Sequence, residues 1–406
     1  MKCVPSLFFS FLLVSPLSAH VWTGSSGKKV EADFLRIDDG KVVLKRKSDG
    51  KQFTVEKSFF SEKDQAVIDG LIAKHEQGGE NKKPTALSVE VDALEENLNF
   101  GEPWPKIISL KKDFDIVEVE NEEGLFIYHS KNFEFIADVR LSKSVVKRFG
   151  ELFEATLLYC QALPISSLKA INHSSKKKKQ IFLYSDTQKY YKAGAPVGSA
   201  GVYIGGRDII LVGMQFLGLK KLGSGYTLDR KNSNKTLPHE IVHMFTDRMY
   251  YAPGALGWFS EGLAEYVAIT PYRGGKFLVG SNRKPIVEYV TSYGVDNKGG
   301  RAIGDEFDMI PLKEFMLMSY ADFADFSSGK GGFNYGVGTL LVYYFFHFED
   351  NGVENMTAFL KALRAGKRGE EALNSLLAGR TFEELEEDVH RAWRSRGVRI
   401  NFSSTK

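Results

Sequence analysis

The segment Thr236-Leu237-Pro238-His239-Glu240-Ile241-Val242-His243-Met244-Phe245 constrains this chain more than any other. Proline lacks an N–H and its ring crowds the preceding turn, so Pro238 is tolerated only where a helix begins. A helix therefore starts here, with Thr236 as its N-cap. On that helix His239 and His243 are four residues apart and lie on one face. Glu240 is one step round from the first of them. Ile241, Val242 and Phe245 supply an apolar side that must be buried. Polar groups carried into an interior on such a helix need partners. Either the two imidazoles share one metal ion, or they are surface histidines beside a salt-bridging glutamate.

A second segment, Gly257-Trp258-Phe259-Ser260-Glu261-Gly262-Leu263-Ala264-Glu265-Tyr266, bears on that choice. Glu261 follows His243 by eighteen positions (261 − 243). A loop and a returning helix fit that gap and can bring the carboxylate to the two imidazoles. Two His and one carboxylate leave the fourth position of a tetrahedral zinc open, the pattern of a catalytic site. Glu240 then stands within reach of a metal-activated water as general base. Glu265, one turn beyond Glu261, can accept a hydrogen bond from a ligating imidazole and orient it; the alternative is a solvated helix carboxylate. His347, within Tyr343-Tyr344-Phe345-Phe346-His347-Phe348, reads as a core or helix-end histidine.

The paired motifs H-E-x-x-H and W-x-x-E-G-L-A-E-Y resemble those of the gluzincin metallopeptidases of clan MA, and most of all the peptidase-MA-like group. The similarity runs over about 125–400 and takes in Tyr128 to Phe135, Gly198 to Tyr203 and Asn334-Tyr335-Gly336. The resemblance implies Zn2+ held by His239, His243 and Glu261, with Glu240 as base, and hydrolysis of peptide bonds. Ser260 departs from the pattern, since many gluzincins have Asn before the third ligand. Gluzincins of several kinds also place a tyrosine after that ligand, which favours Tyr335 as donor to a developing oxyanion. By its own context Tyr335 can equally be a packing residue. It follows the glycine-bearing stretch Ser327 to Gly332 and opens a strongly apolar helix.

The chain has 406 residues, enough for two or three folded units. Residues 1–19 read as an export signal: Lys2, a short apolar run from Leu7 to Val14, then Pro16 and Ala19. That run is too short to span a bilayer, so the expectation is an exported, periplasmic or secreted protein with no stable membrane span after cleavage. Residues 20–72 hold short strands and tight turns at Asp38-Asp39-Gly40 and Asp49-Gly50, which predict a small β-barrel. The segment resembles the bacterial Sla-type homology domains, an SH3-like fold. Residues 73–104 lose all periodicity and read as a linker. Residues 105–400 read as α+β, a small sheet followed by a helical lobe. A net charge of +3 names no partner, and the Lys176–Lys179 run, which has no interleaved aromatics, reads as a solvated loop in preference to a nucleic-acid site. Cys160 would stand alone in a processed chain, so no internal disulfide is expected.

The expected partner is a peptide or protein substrate. The rival is a zinc-binding but non-hydrolytic protein that holds peptides, or a scaffold. The linker generates the first prediction. Limited proteolysis should cut between about 75 and 100 and leave a folded C-terminal fragment with the catalytic residues. A fragment that unfolds on cleavage would make residues 20–72 part of the larger unit.

Overall fold

A computed structural model describes residues 20–24, 28–38, 41–49, 51–61, 64–65, 67–68, 105–110, 114–119, 124–163, 168–223, 225–228, 236–247, 257–292 and 299–403. The expected signal, 1–19, and linker, 73–104, lie outside the described residues. The chain divides into two compact units, Met1–Val91 and Asp92–Lys406.

In the first unit four antiparallel strands follow one another as a meander: β1 (His20–Thr23), β2 (Lys29–Asp38), β3 (Lys41–Arg46) and β4 (Gln52–Glu56). Trp22, Ala32, Val42, Leu44, Phe60 and Ile68 form its core. The Trp22 indole N–H donates to the Ala32 carbonyl at 3.0 Å, so the buried ring keeps its polar atom paired. Among the described residues the strands do not close a barrel ladder. One isolated bridge, Gly24 to Phe60, joins the end of β1 to the segment after β4. Asp64 secures the same junction by accepting from the Thr23 amide at 2.7 Å and the Ser61 hydroxyl at 3.0 Å.

The second unit is mixed α and β. Its strands begin with β5 (Ile108–Ser109), β6 (Val117–Glu118), β7 (Phe126–His129), β8 (Phe133–Ala137), β9 (Lys179–Tyr184), β10 (Gly201–Ile204) and β11 (Ile209–Gly213). Six of these make one sheet in the order β10-β11-β9-β8-β7-β6. β8, β9 and β11 run parallel, and the remaining pairings are antiparallel. Helix α1 (Lys143–Ala162) makes the crossover from β8 to β9. Its Phe149 and Phe153 meet the Phe135 ring edge-on at 5.3 and 5.2 Å. Cys160 is buried on it as a free thiol.

Beyond the sheet the unit is largely helical: α2 (Thr236–Phe245), α3 (Gly257–Ile269), α4 (Arg283–Thr291), α5 (Lys330–His347), α6 (Gly352–Arg364), α7 (Gly369–Leu377) and α8 (Phe382–Arg394). Helix α2 docks on the sheet side through Phe245, whose ring meets Phe133 at 6.1 Å. Its Ile241 and Val242 are also fully buried, the apolar side expected from their spacing. Helix α3 is buried along its whole length. It lies against α5 with no side chains between them at one point. A Cβ on Gly262 would run into the Gly338 carbonyl, and one on Gly338 would sit 2.8 Å from the Trp258 carbonyl. No helix of the described residues is long and apolar enough to cross a membrane.

Three details differ from the sequence reading. Thr236, expected as the N-cap of α2, is the first residue of the helix itself. Helix α5 begins at Lys330, so Gly331 and Gly332 belong to its first turn and not to a loop. The Phe326 ring packs over Gly331 so closely that a Cβ there would lie 2.8 Å from it. The lysine run is only partly a solvated loop. Lys178 donates to the Ser130 and Lys131 carbonyls at 2.5 and 2.8 Å, and Lys179 pairs with Asp208.

The helix contact yields the second prediction. Gly338→Ala should force α3 and α5 apart and destabilise the second unit by roughly 1–3 kcal/mol, the usual scale of overpacking. Urea unfolding should show a lower midpoint with an unchanged slope. An unchanged midpoint would mean that the two helices separate freely.

Candidate metal centre

Helix α2 presents His239 and His243 on one face, as i and i+4 spacing requires. Helix α3 brings Glu261 between them. His239 Nε2 and His243 Nε2 are 2.9 Å apart. Glu261 Oε2 stands 3.1 Å from the first and 3.2 Å from the second. All three residues are at least nine-tenths buried. Donors at roughly 2.0–2.1 Å from a tetrahedral zinc lie about 3.3 Å from one another. The observed triangle is close to one face of such a tetrahedron, and its two imidazoles and one carboxylate are donors that zinc accepts. These residues therefore fit a small divalent cation.

Glu240 is held apart from this triangle. Its Oε2 accepts the Tyr203 backbone N–H at 2.8 Å. Tyr203 lies on β10, the edge strand of the sheet, so that N–H points away from β11 and toward α2. The edge strand thus fixes the carboxylate that follows the first histidine.

Glu265 sits one turn beyond Glu261 and faces the same cluster. Its Oε1 lies 3.4 Å from His239 Nδ1 and accepts from Arg301 Nη2 at 2.5 Å. The long first distance makes this an electrostatic contact more than a formed hydrogen bond. Tyr335, on the second turn of α5, stacks on the His239 ring with centroids 6.3 Å apart and planes 10° apart. The Arg301 guanidinium covers its other neighbourhood, 4.9 Å from the Tyr335 centroid. His347 takes no part in the triad; its Nε2 lies 2.9 Å from the Tyr266 hydroxyl.

The electrostatics follow from burying so many charges together. Burial alone disfavours the His239 imidazolium, yet Glu261 and Glu265 outweigh it and push its pKa up to about 10. Burial likewise opposes the Glu261 carboxylate, but the two imidazoles hold it well below its ordinary range. For Glu265 burial is overcome by Arg301 and then His239, which bring the carboxyl down to about 2. Desolvation and the neighbouring Glu261 charge push the Tyr335 phenol far up, so it is a hydrogen-bond donor at any ordinary pH.

Further residues of the cluster escape sequence reasoning, Arg301 and Tyr320 among them. Arg301 reaches Glu265 from the segment after α4, and no spacing rule points to it. Tyr320, fifty-nine residues after Glu261, donates its hydroxyl to Glu261 Oε1 at 2.9 Å. The sole local signal is the Ser319 cap, whose hydroxyl accepts from the Asp322 amide at 3.2 Å and starts the short Tyr320–Phe323 helix.

The Glu265–Arg301 pair gives the third prediction. The folded pKa of Glu265 lies below its ordinary 4.5. The pair's contribution is therefore complete above about 4.5 and is lost as pH falls toward 2. In metal-free protein, Glu265→Gln should lower unfolding stability at pH 7 by on the order of 3 kcal/mol, because Arg301 is left without its anion. The gap between the two proteins should close as pH falls from 4.5 to 2. A gap that does not change with pH would remove Glu265 as the ionised partner.

No protein-family model matches the chain and no curated protein matches it, so its candidate role rests on the arrangement of His239, His243, Glu261 and Glu240.

Proposed function

We propose that this chain is a zinc-dependent peptidase, exported and acting on peptide or protein substrates. The observation that carries the reading is the near-tetrahedral triangle of His239 Nε2, His243 Nε2 and Glu261 Oε2, with an ionisable carboxylate, Glu240, beside it and outside it. A structural zinc site would use a fourth protein donor, whereas three donors leave a position for chemistry. The sheet followed by a helical lobe agrees with a gluzincin-like domain. The four-stranded meander with its Trp22 core agrees with an SH3-like module, open between its edges but for one bridge.

A bound zinc would supply Lewis-acid polarisation and acidify a nearby water. The remaining work falls to the protein. Glu240 takes a proton from the attacking water and returns it to the leaving nitrogen. Its carboxylate is oriented for this by the Tyr203 amide. Tyr335, kept protonated by burial, donates to the oxygen on which charge develops. Glu265 and Arg301 hold the His239 ring in place from behind. The outward edge of β10 offers the Gly201 backbone to an extended peptide, since alternate residues of an antiparallel strand turn their polar groups to the same side.

The fourth prediction tests the whole reading. Purified protein should carry about one zinc per chain, and His243→Ala should lose it. Glu240→Gln should retain zinc and lower peptide turnover by roughly a hundredfold to ten-thousandfold. Digestion of a peptide library should stop with a chelator and resume with added zinc. Zinc without cleavage of any peptide would leave a metal-dependent peptide binder, and His243→Ala protein that keeps its zinc would end the ligand assignment.

A further inference from the structure

The third ligand of the triangle is a carboxylate with two oxygens, and only one faces the histidines. Glu261 Oε2 lies within 3.2 Å of both imidazole nitrogens. Glu261 Oε1 receives the Tyr320 hydroxyl at 2.9 Å. A free carboxylate can present one oxygen or both to an ion, and both together would fill the position that three-donor ligation leaves open. We infer that Tyr320 is a positioning residue whose hydroxyl holds Glu261 Oε1 away and restricts Glu261 to ligation through Oε2. The inference rests on the metal reading above and adds to it the device that keeps the coordination sphere open.

Tyr320 is placed for this role by the packing of its neighbours. Ser319 caps the turn that carries it. Phe323, three residues on, is fully buried and packs at a tilt against Tyr335, with ring centroids 5.5 Å apart. It fills the space that Gly257, at the start of α3, leaves open: a Cβ there would lie 2.6 Å from the Phe323 ring. Asn334 Nδ2 donates to the Phe323 carbonyl at 2.9 Å. The turn is thus anchored to both α3, which bears Glu261, and α5, which bears Tyr335. Tyr320 itself is 50% exposed, so its ring is not demanded by the core. What the position requires is a hydroxyl at the end of a long rigid side chain.

The test uses the full-length chain loaded with zinc or with cobalt(II), whose visible bands are intense in four-coordinate and weak in five- or six-coordinate sites. Wild-type protein should give intense cobalt bands, and its zinc absorption fine structure should show four light donors in a single shell. Tyr320→Phe should weaken the cobalt bands, add a longer oxygen to the zinc shell, and raise the zinc Kd by roughly ten- to a hundredfold. The melting temperature of the metal-free variant should match wild type. Intense bands and an unchanged Kd in the folded variant would overturn the inference while leaving the metal centre intact. Should the variant fail to fold, the wild-type zinc spectrum decides alone, because a fifth, carboxylate oxygen there overturns the inference without any substitution. Wild-type protein that binds neither metal would instead remove the metal reading itself.

Discussion

The close contact of α3 with α5 over Gly262 and Gly338 is the constraint on which the cluster depends. Helix α3 carries Glu261 and Glu265, and α5 carries Tyr335. At Gly262 the two backbones meet without a side chain between them, so their separation is set by the peptide groups themselves. A helix pair held this tightly has little freedom to slide. Glu261 therefore reaches the two imidazoles of α2 at about one donor-to-donor spacing, and Tyr335 meets the His239 ring face on. Trp258, Phe345 and Phe359 close the far side of the same contact, with ring centroids near 6 Å. A larger residue at Gly338 would leave both motifs intact in sequence and move their atoms out of range.

This packing brings four ionisable groups, His239, His243, Glu261 and Glu265, into a protein interior. Moving charges out of water is unfavourable by several kcal/mol for each ion, and only pairing offsets it. The pairing here is reciprocal. Two carboxylates keep a proton on His239, the imidazoles keep Glu261 ionised, and Arg301 does the same for Glu265. A cation in the triangle would replace the His239 proton as the positive charge that the carboxylates require. Affinity for a metal and the protonation of His239 would then be opposed, and binding would release protons. The polar cluster is preorganised because its surroundings are aromatic and tightly packed, not because its members are individually rigid.

Much of the scaffold could be anticipated from local pattern. The apolar spacing from Val145 to Leu158 places a helix, and Lys143–Ala162 is one. Phe133 to Asp138 and Gln180 to Tyr184 read as strands, and the strands Phe133–Ala137 and Lys179–Tyr184 pair in parallel. The Gly205-Gly206 turn joins two antiparallel strands as expected. Where the pattern misled, a tertiary contact was the reason. Gly331 and Gly332 look like loop residues, yet they lie in the first turn of a helix, and Phe326 lies across the first of them where a Cβ would collide. Lys178 and Lys179 look solvated, yet the carbonyls of Ser130 and Lys131 and the Asp208 carboxylate lie within their reach.

Sequence alone determined which side chains share a face. Helical spacing puts His239 beside His243, and Pro238 says where their helix begins, because both are properties of a single backbone segment. It also made Glu261 and Glu265 successive members of one helical face. Only tertiary structure decided how those faces meet. The Tyr203 amide reaches Glu240 because β10 is the sheet's edge, and sheet order is a matter of long-range pairing. Arg301 and Tyr320 arrive from separate segments, at separations no periodicity encodes. Their places follow from volume and charge: an interior carboxylate must find a donor, and the chain that packs nearest supplies it.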